Sequence, residues 1–231
     1  MHQPSIFPFG IRIDEPITTL TDVLVAAVCF YAFFKLWKQS DGSRLHQLVL
    51  WYFALMGLAT LIGGIIGHAF LYNLSFYWKL PGWLLSMMAI NLLERVMIRF
   101  SKPILSTSKA KFFSYFNIAE LVVFAALAFG YLNFRFVEIH SVYGLLVVVF
   151  GFCIYNYRKK HGRKVVVQFM IATAFAFVAA VVFVAKWDID KWFRHMDLAH
   201  VFMTGSAWYF YTGSKKLMEQ TAFNPSYDPD N

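Results

Sequence analysis

Of 231 residues, 59% are hydrophobic, 19% aromatic and only 15% charged. A soluble core of that length cannot bury so much apolar surface, so the composition excludes an ordinary soluble enzyme or binding domain and makes lipid the solvent. The net charge of +8 is spread over several short loops and a tail, which reads as membrane topology and not as a nucleic-acid surface.

Taken in chain order, the first residues lack a basic segment followed by an apolar core, so no cleavable signal peptide is expected. Asp14-Glu15-Pro16 with Thr18 and Thr19 marks a helix start, with acids at the positive dipole end and proline inside the first turn. Seven apolar stretches follow, at roughly 17–37, 47–72, 81–100, 112–132, 139–157, 164–186 and 193–213. Each is about 20 residues, the length that crosses about 30 Å of hydrocarbon. Lys38–Ser43 is a polar turn, Pro81-Gly82 breaks the chain before the third stretch, and Asn224–Asn231 reads as a frayed tail. The expected fold is an all-α, seven-transmembrane-helix bundle, one domain over residues 1–231, with short loops that make consecutive helices antiparallel neighbours.

Lysine and arginine counts orient the bundle. Arg12, Lys79, Arg135, Lys186, Lys191 and Arg194 fall on one side, and the other fifteen of the 21 on the opposite side. The positive-inside rule then places the N-terminus outside and the C-terminus in the cytoplasm of a multi-pass protein, with the plasma membrane as the expected location. Cys29 and Cys153 both fall inside spans and read as buried thiols, not as a disulfide or metal ligands. No internal repeat marks a transporter built from duplicated halves. The body of the seventh span has no lysine for a retinal Schiff base.

Ionisable side chains inside a bilayer are costly and ask for a reason. His195, Asp197 and His200 stand at the outer start of the seventh span, and His68 stands at the same level on the second. Gly57, Thr60, Gly64, Gly67 and His68 share one arc of the second helix, a small-residue stripe that permits close approach and aims His68 at a neighbour. Asp197 and His200 are about 60° apart around their helix and can address one point, whereas His195 lies roughly 140–160° from both. If the bundle closes as a ring, Asp22 of the first span joins His68, Asp197 and His200. Such a set suits zinc; a hydrogen-bonded helix contact is the alternative. Asp22 also reads as a plain helix carboxylate, and His140 as an interfacial residue.

Deeper polar groups are Asn91, Glu94 and Arg95 on the third span, Asn117 and Glu120 on the fourth, and Gln168 on the sixth. Glu94 and Arg95 approach the cytoplasmic boundary, where snorkelling would satisfy them. Glu120 is mid-span and needs a partner; Asn117-x-x-Glu120 reads as a packing lock or an element of a proton relay.

The order Glu15-Pro16…Asp22, Gly63-Gly64-x-x-Gly67-His68 and His195-x-Asp197-x-x-His200 resembles an uncharacterised family of small seven-helix membrane proteins. Histidines on the second and seventh spans are also distantly similar to the alkaline ceramidase and progestin/adipoQ receptor (CREST) superfamily. That resemblance implies a seven-helix bundle that holds zinc and hydrolyses a lipid amide. It matches His68 to the second-helix zinc histidine and His200 to the last histidine of the seventh helix. At three places the chain departs from that pattern: Met196 stands where the other seventh-helix histidine would be, Gly64 stands in place of a serine, and Leu80–Ile90 has no acid.

Three functions are therefore expected in competition. In a zinc-dependent membrane hydrolase of a lipid amide or ester, His68, Asp197 and His200, with His195, would hold the metal, and Asp22 or His195 would accept a proton. In a cation- or proton-linked binding protein or transporter, the outer cluster would feed Glu120 and Glu94. In a non-catalytic membrane subunit, the polar groups would serve packing within an oligomer or with a partner membrane protein. Membrane lipid is the expected partner in each, and nucleic acid in none.

Overall fold

A computed structural model describes residues 3–222 and 224–227. Among them the chain is all-α, with seven long helices: α1 (Pro16–Trp37), α2 (Arg44–Ala69), α3 (Leu80–Phe100), α4 (Thr107–Tyr131), α5 (Arg135–Arg158), α6 (Arg163–Ala185) and α7 (His195–Thr221). Five of them, α1, α2, α4, α5 and α6, are long and apolar enough to cross a membrane. The other two, α3 and α7, carry Glu94, Arg95 and Arg99, and Asp197, Lys215 and Lys216.

Local chemistry starts and stops these helices. Pro16 and Pro81 occupy first-turn positions, where the missing N–H has no intrahelical partner to lose. The hydroxyls of Ser43 and Ser106 accept the backbone N–H of His46 and Lys109 at the starts of α2 and α4. Leu132 and Lys186 adopt left-handed backbone just past α4 and α6 and turn the chain back. Two helices contain a π-helical segment, Gly63–Ala69 at the end of α2 and Tyr143–Val149 within α5. The tail from Asn224 to Tyr227 is not frayed: Tyr227 is buried and stacks on Phe100 at 5.8 Å. The rest of that predicted tail, 228–231, lies outside the described residues.

Each helix packs on the next and α1 packs on α7, so the bundle closes as a ring. The end where α1 begins and α2 ends is termed the upper end. The main apolar core fills the lower half, around Phe53, Phe100, Phe169, Phe210 and Leu217. The upper half is held more by small residues and polar contacts. A Cβ on Gly64 would stand 2.8 Å from Asp22 Cβ and 3.2 Å from the Thr19 carbonyl oxygen, so glycine alone permits this approach of α2 to α1. α4 is the most peripheral helix; its buried side chains are only Ala110, Asn117, Glu120 and Ala128. Two of these four are polar, and they anchor it.

Candidate functional site

At the upper end, α1, α2 and α7 bring three predicted residues together, His68 and His200 around the Asp22 carboxylate. Asp22 Oδ2 is 3.8 Å from His68 Nε2, and Asp22 Oδ1 is 3.5 Å from His200 Nε2. Each ring is held from behind by its other nitrogen. His68 Nδ1 lies 2.5 Å from Glu15 Oε2, and His200 Nδ1 lies 3.0 Å from Thr21 Oγ1. The Thr21 hydroxyl donates to the Thr18 carbonyl at 3.0 Å, which leaves its oxygen to accept from His200 Nδ1–H. The Glu15 carboxylate likewise accepts from His68 Nδ1–H. Both rings therefore turn Nε2 toward the Asp22 carboxylate.

Backbone geometry serves this cluster. Glu15 sits at φ 43, ψ 54, left-handed for a residue with a full side chain, directly before Pro16. Such a conformation costs on the order of 1–3 kcal/mol and recurs where a functional group must be aimed. His68 lies in the π-helical end of α2, and Asp14 N–H donates to the Ala69 carbonyl at 3.1 Å, tying the N-terminal segment to that end. The side chains of His68, Glu15 and His200 remain 20%, 17% and 16% exposed, so the cluster has an open side, while Asp22 at 7% forms its floor. Lys79, half-buried between α2 and α3 within electrostatic reach of Glu15, has its ammonium pKa lowered by burial.

Asp197 and His200 do share a face, but they meet α1 one turn apart instead of at one point. Asp197 is fully buried and accepts from Gln3 Nε2 at 2.6 Å, Thr18 Oγ1 at 2.7 Å and Arg194 N–H at 2.6 Å, capping the start of α7. The place between the two rings is occupied by Asp22, which α1 carries there.

His195 points away from the cluster, as its angular offset requires. Its backbone N–H and Nδ1 both bond Asp188 Oδ1, at 2.8 and 2.6 Å. The backbone N–H and the ring of His195 hold the Asp188 carboxyl down to about 2. This contact stabilises the fold above the unfolded carboxyl pKa of about 3.9 and is lost as pH falls through the folded value. Between pH 4 and 2, Asp188→Asn is expected to abolish this acid-dependent part of the loss in stability, read as Tm against pH.

A second polar cluster joins α3, α4 and α5. His140 Nδ1 is 2.6 Å from Glu120 Oε1, and His140 Nε2 is 3.0 Å from the Met87 carbonyl. Asn117 donates to Glu94 Oε2 at 3.1 Å, exchanges side-chain to backbone bonds with Asn91, and accepts from Arg95 Nε at 2.8 Å. Glu94 does not snorkel; it is 1% exposed, because Arg95 turns to the Asn117 oxygen and the Ser114 carbonyl on α4. His140 is not interfacial but fully buried. Among the described residues, Glu94, Glu120 and His140 are the one set of three ligating side chains whose ligand atoms all lie within 4.8 Å of one another. His68, Asp22 and His200 are more open than that.

Residues 17–219 match a family of unknown function, DUF6962. The chain belongs to the DUF6962 family. No curated protein and no solved structure matches it. The matched region of this DUF6962 protein includes Asp22, His68, His200 and the whole second cluster, and begins two residues after Glu15.

Two residues of the upper end had no signal in the sequence. Gln3 lies far from any span, yet its amide bridges the Trp192 carbonyl, Asp197 and the Ile17 N–H. Thr21 looks like an ordinary first-helix threonine until the ring closes and His200 meets it. The pairing of Glu120 with His140 was open to reasoning, since both are polar residues on consecutive antiparallel spans. Reading His140 as an interfacial residue hid it.

Proposed function

We propose that this protein is an integral membrane hydrolase that uses zinc at the upper cluster to cleave a lipid amide or ester. The observation that carries the reading is the pair of Nε2 atoms, on rings fixed from behind by Glu15 and Thr21, that face a single buried carboxylate. Two imidazoles and a carboxylate are a common catalytic zinc set, and a side left open admits substrate. A carboxylate behind a ligating histidine is the usual support for such a ring. Bound zinc supplies a Lewis acid that polarises a carbonyl and acidifies water to a pKa of about 7.

His68, Asp22 and His200 would hold the ion. Small inward rotations of the two rings would be needed, because ligand bonds of about 2.0–2.2 Å draw neighbouring ligand atoms closer than the present spacing. Glu15, behind His68 at Nδ1, would orient that ring and raise its basicity as a ligand. His195, turned to Asp188, and Asp197, committed to the α7 cap, stay outside the reaction. The distant likeness to the ceramidase and progestin/adipoQ receptor superfamily favours a lipid amide as substrate, matched at His68 and His200. The basic lower end is assigned to the cytoplasm and the cluster to the outer face of the cell membrane, following the lysine and arginine asymmetry. The two polar clusters are built by different helices, which disfavours a single relay from His200 to Glu120.

Elemental analysis of the purified protein tests this reading directly. Zinc at the upper cluster and hydrolysis of a long-chain acyl amide or ester are expected, both lost in His200→Ala and both retained in His195→Ala. A correctly folded preparation whose zinc content and activity are indifferent to His200→Ala would overturn it and leave a non-catalytic membrane subunit.

A further inference from the structure

We infer that Glu94, Glu120 and His140 hold a second divalent transition-metal ion, enclosed between α3, α4 and α5 and independent of the upper cluster. Three observations converge. The ligand atoms of the three side chains lie within 4.8 Å of one another, in a site 0–7% exposed. One oxygen of each carboxylate, Glu94 Oε1 and Glu120 Oε2, is buried without any hydrogen-bond partner. The Met87 carbonyl can only accept, so His140 Nε2 carries a hydrogen and donates it there at 3.0 Å, which turns Nδ1 to Glu120 Oε1 at 2.6 Å.

A shared proton would account for the His140–Glu120 contact alone. It would leave both orphan oxygens unsatisfied and one carboxylate uncompensated in the middle of a bundle, where unpaired charge is costly. A divalent cation engages all the unsatisfied groups at once and balances the two carboxylates. The surroundings are those of a supported metal site: a ligating imidazole that donates its other N–H to a backbone carbonyl, and a ligating carboxylate that accepts from Asn117, itself held by Arg95. Gly144, in the π-helical segment of α5, keeps the space against Glu94 Oε1 clear; a Cβ there would overlap that oxygen and Ile90 Cγ2. π-Helical segments often accompany functional positions. One imidazole with two carboxylates suits manganese, iron or zinc, and the enclosure suits an ion that stays and braces the bundle instead of meeting substrate.

The test uses the full-length protein in detergent, in a His200→Ala background that disables the upper cluster. After stripping with chelator, Mn2+ is titrated and bound ion is read by electron paramagnetic resonance and by metal analysis after gel filtration. One Mn2+ per chain and a raised Tm are expected. Glu94→Gln and Glu120→Gln, which keep shape and remove charge, should each weaken binding at least 100-fold while the gel-filtration profile and helical signal are unchanged. If a variant fails to fold, His140→Gln takes its place with the same expectation. Absence of Mn2+ and Zn2+ binding by the folded parent, or binding that Glu94→Gln and Glu120→Gln leave intact, would overturn the inference, the former leaving a shared proton. Neither result bears on zinc at the upper cluster, because His200→Ala separates the two.

Discussion

Replacing Asp22 with asparagine is expected to lower zinc affinity at least 100-fold and to abolish hydrolysis, while the bundle remains folded. Asp22 is the carboxylate on which both imidazoles converge, at 3.5 and 3.8 Å. An asparagine of the same shape would offer an amide N–H to one Nε2 lone pair, closing the site with a hydrogen bond where a cation is wanted. Glu15→Gln should act less severely, by about 10–100-fold, because it touches the ring only through the support behind His68. Asp197→Asn is the discriminating control. If Asp197 were a ligand, as its spacing from His200 first implies, it would strip the metal and Asp22→Asn would not. The expected order is the reverse, and metal content per folded chain decides it.

The second large effect concerns stability. Asp197→Ala should destabilise the bundle by about 3–5 kcal/mol, measured by unfolding in detergent against the parent. Its carboxylate accepts three short hydrogen bonds, from Gln3, Thr18 and the Arg194 N–H, two of them from side chains that are themselves buried. Each buried donor left unsatisfied costs about 1–3 kcal/mol, and loss of a helix cap about 1. Thr18→Val removes one donor and keeps the volume, so a loss of about 1 kcal/mol is expected; the two effects should not add, since both residues belong to one network. A change below about 1 kcal/mol for Asp197→Ala would mean that the N-terminal segment is not pinned through Gln3 as described.

Seven helices were legible in the sequence because hydropathy in 20-residue blocks is a one-dimensional property, and Pro16 and Pro81 mark starts by local chemistry alone. The aim of His68 was legible too, since Gly57, Gly64 and Gly67 define a face without reference to any other helix. So was the separation of His195 from His200, which follows from 100° per residue. Partners were harder. Asp197 and His200 share a face, but only the packed register of α7 against α1 sets one on Thr18 and the other on Thr21 and Asp22. The burial of Glu94 depends on how close α4 comes to α3, and on Arg95 finding Asn117 instead of the boundary.

The chain by itself determined an all-helical protein with segments long and apolar enough to cross a membrane, the existence of histidines and acids that apolar surroundings must neutralise, and the faces on which they lie. Tertiary structure alone decided which of them meet: Asp22 between His68 and His200, and Glu94 with Glu120 and His140. The reason is physical. Hydropathy and helical angle are set within one segment, whereas partner choice is set by the rotation and depth of one helix against another. Those are fixed by close contacts, such as Gly64 on Asp22 and Gly144 on Glu94, that no single segment encodes.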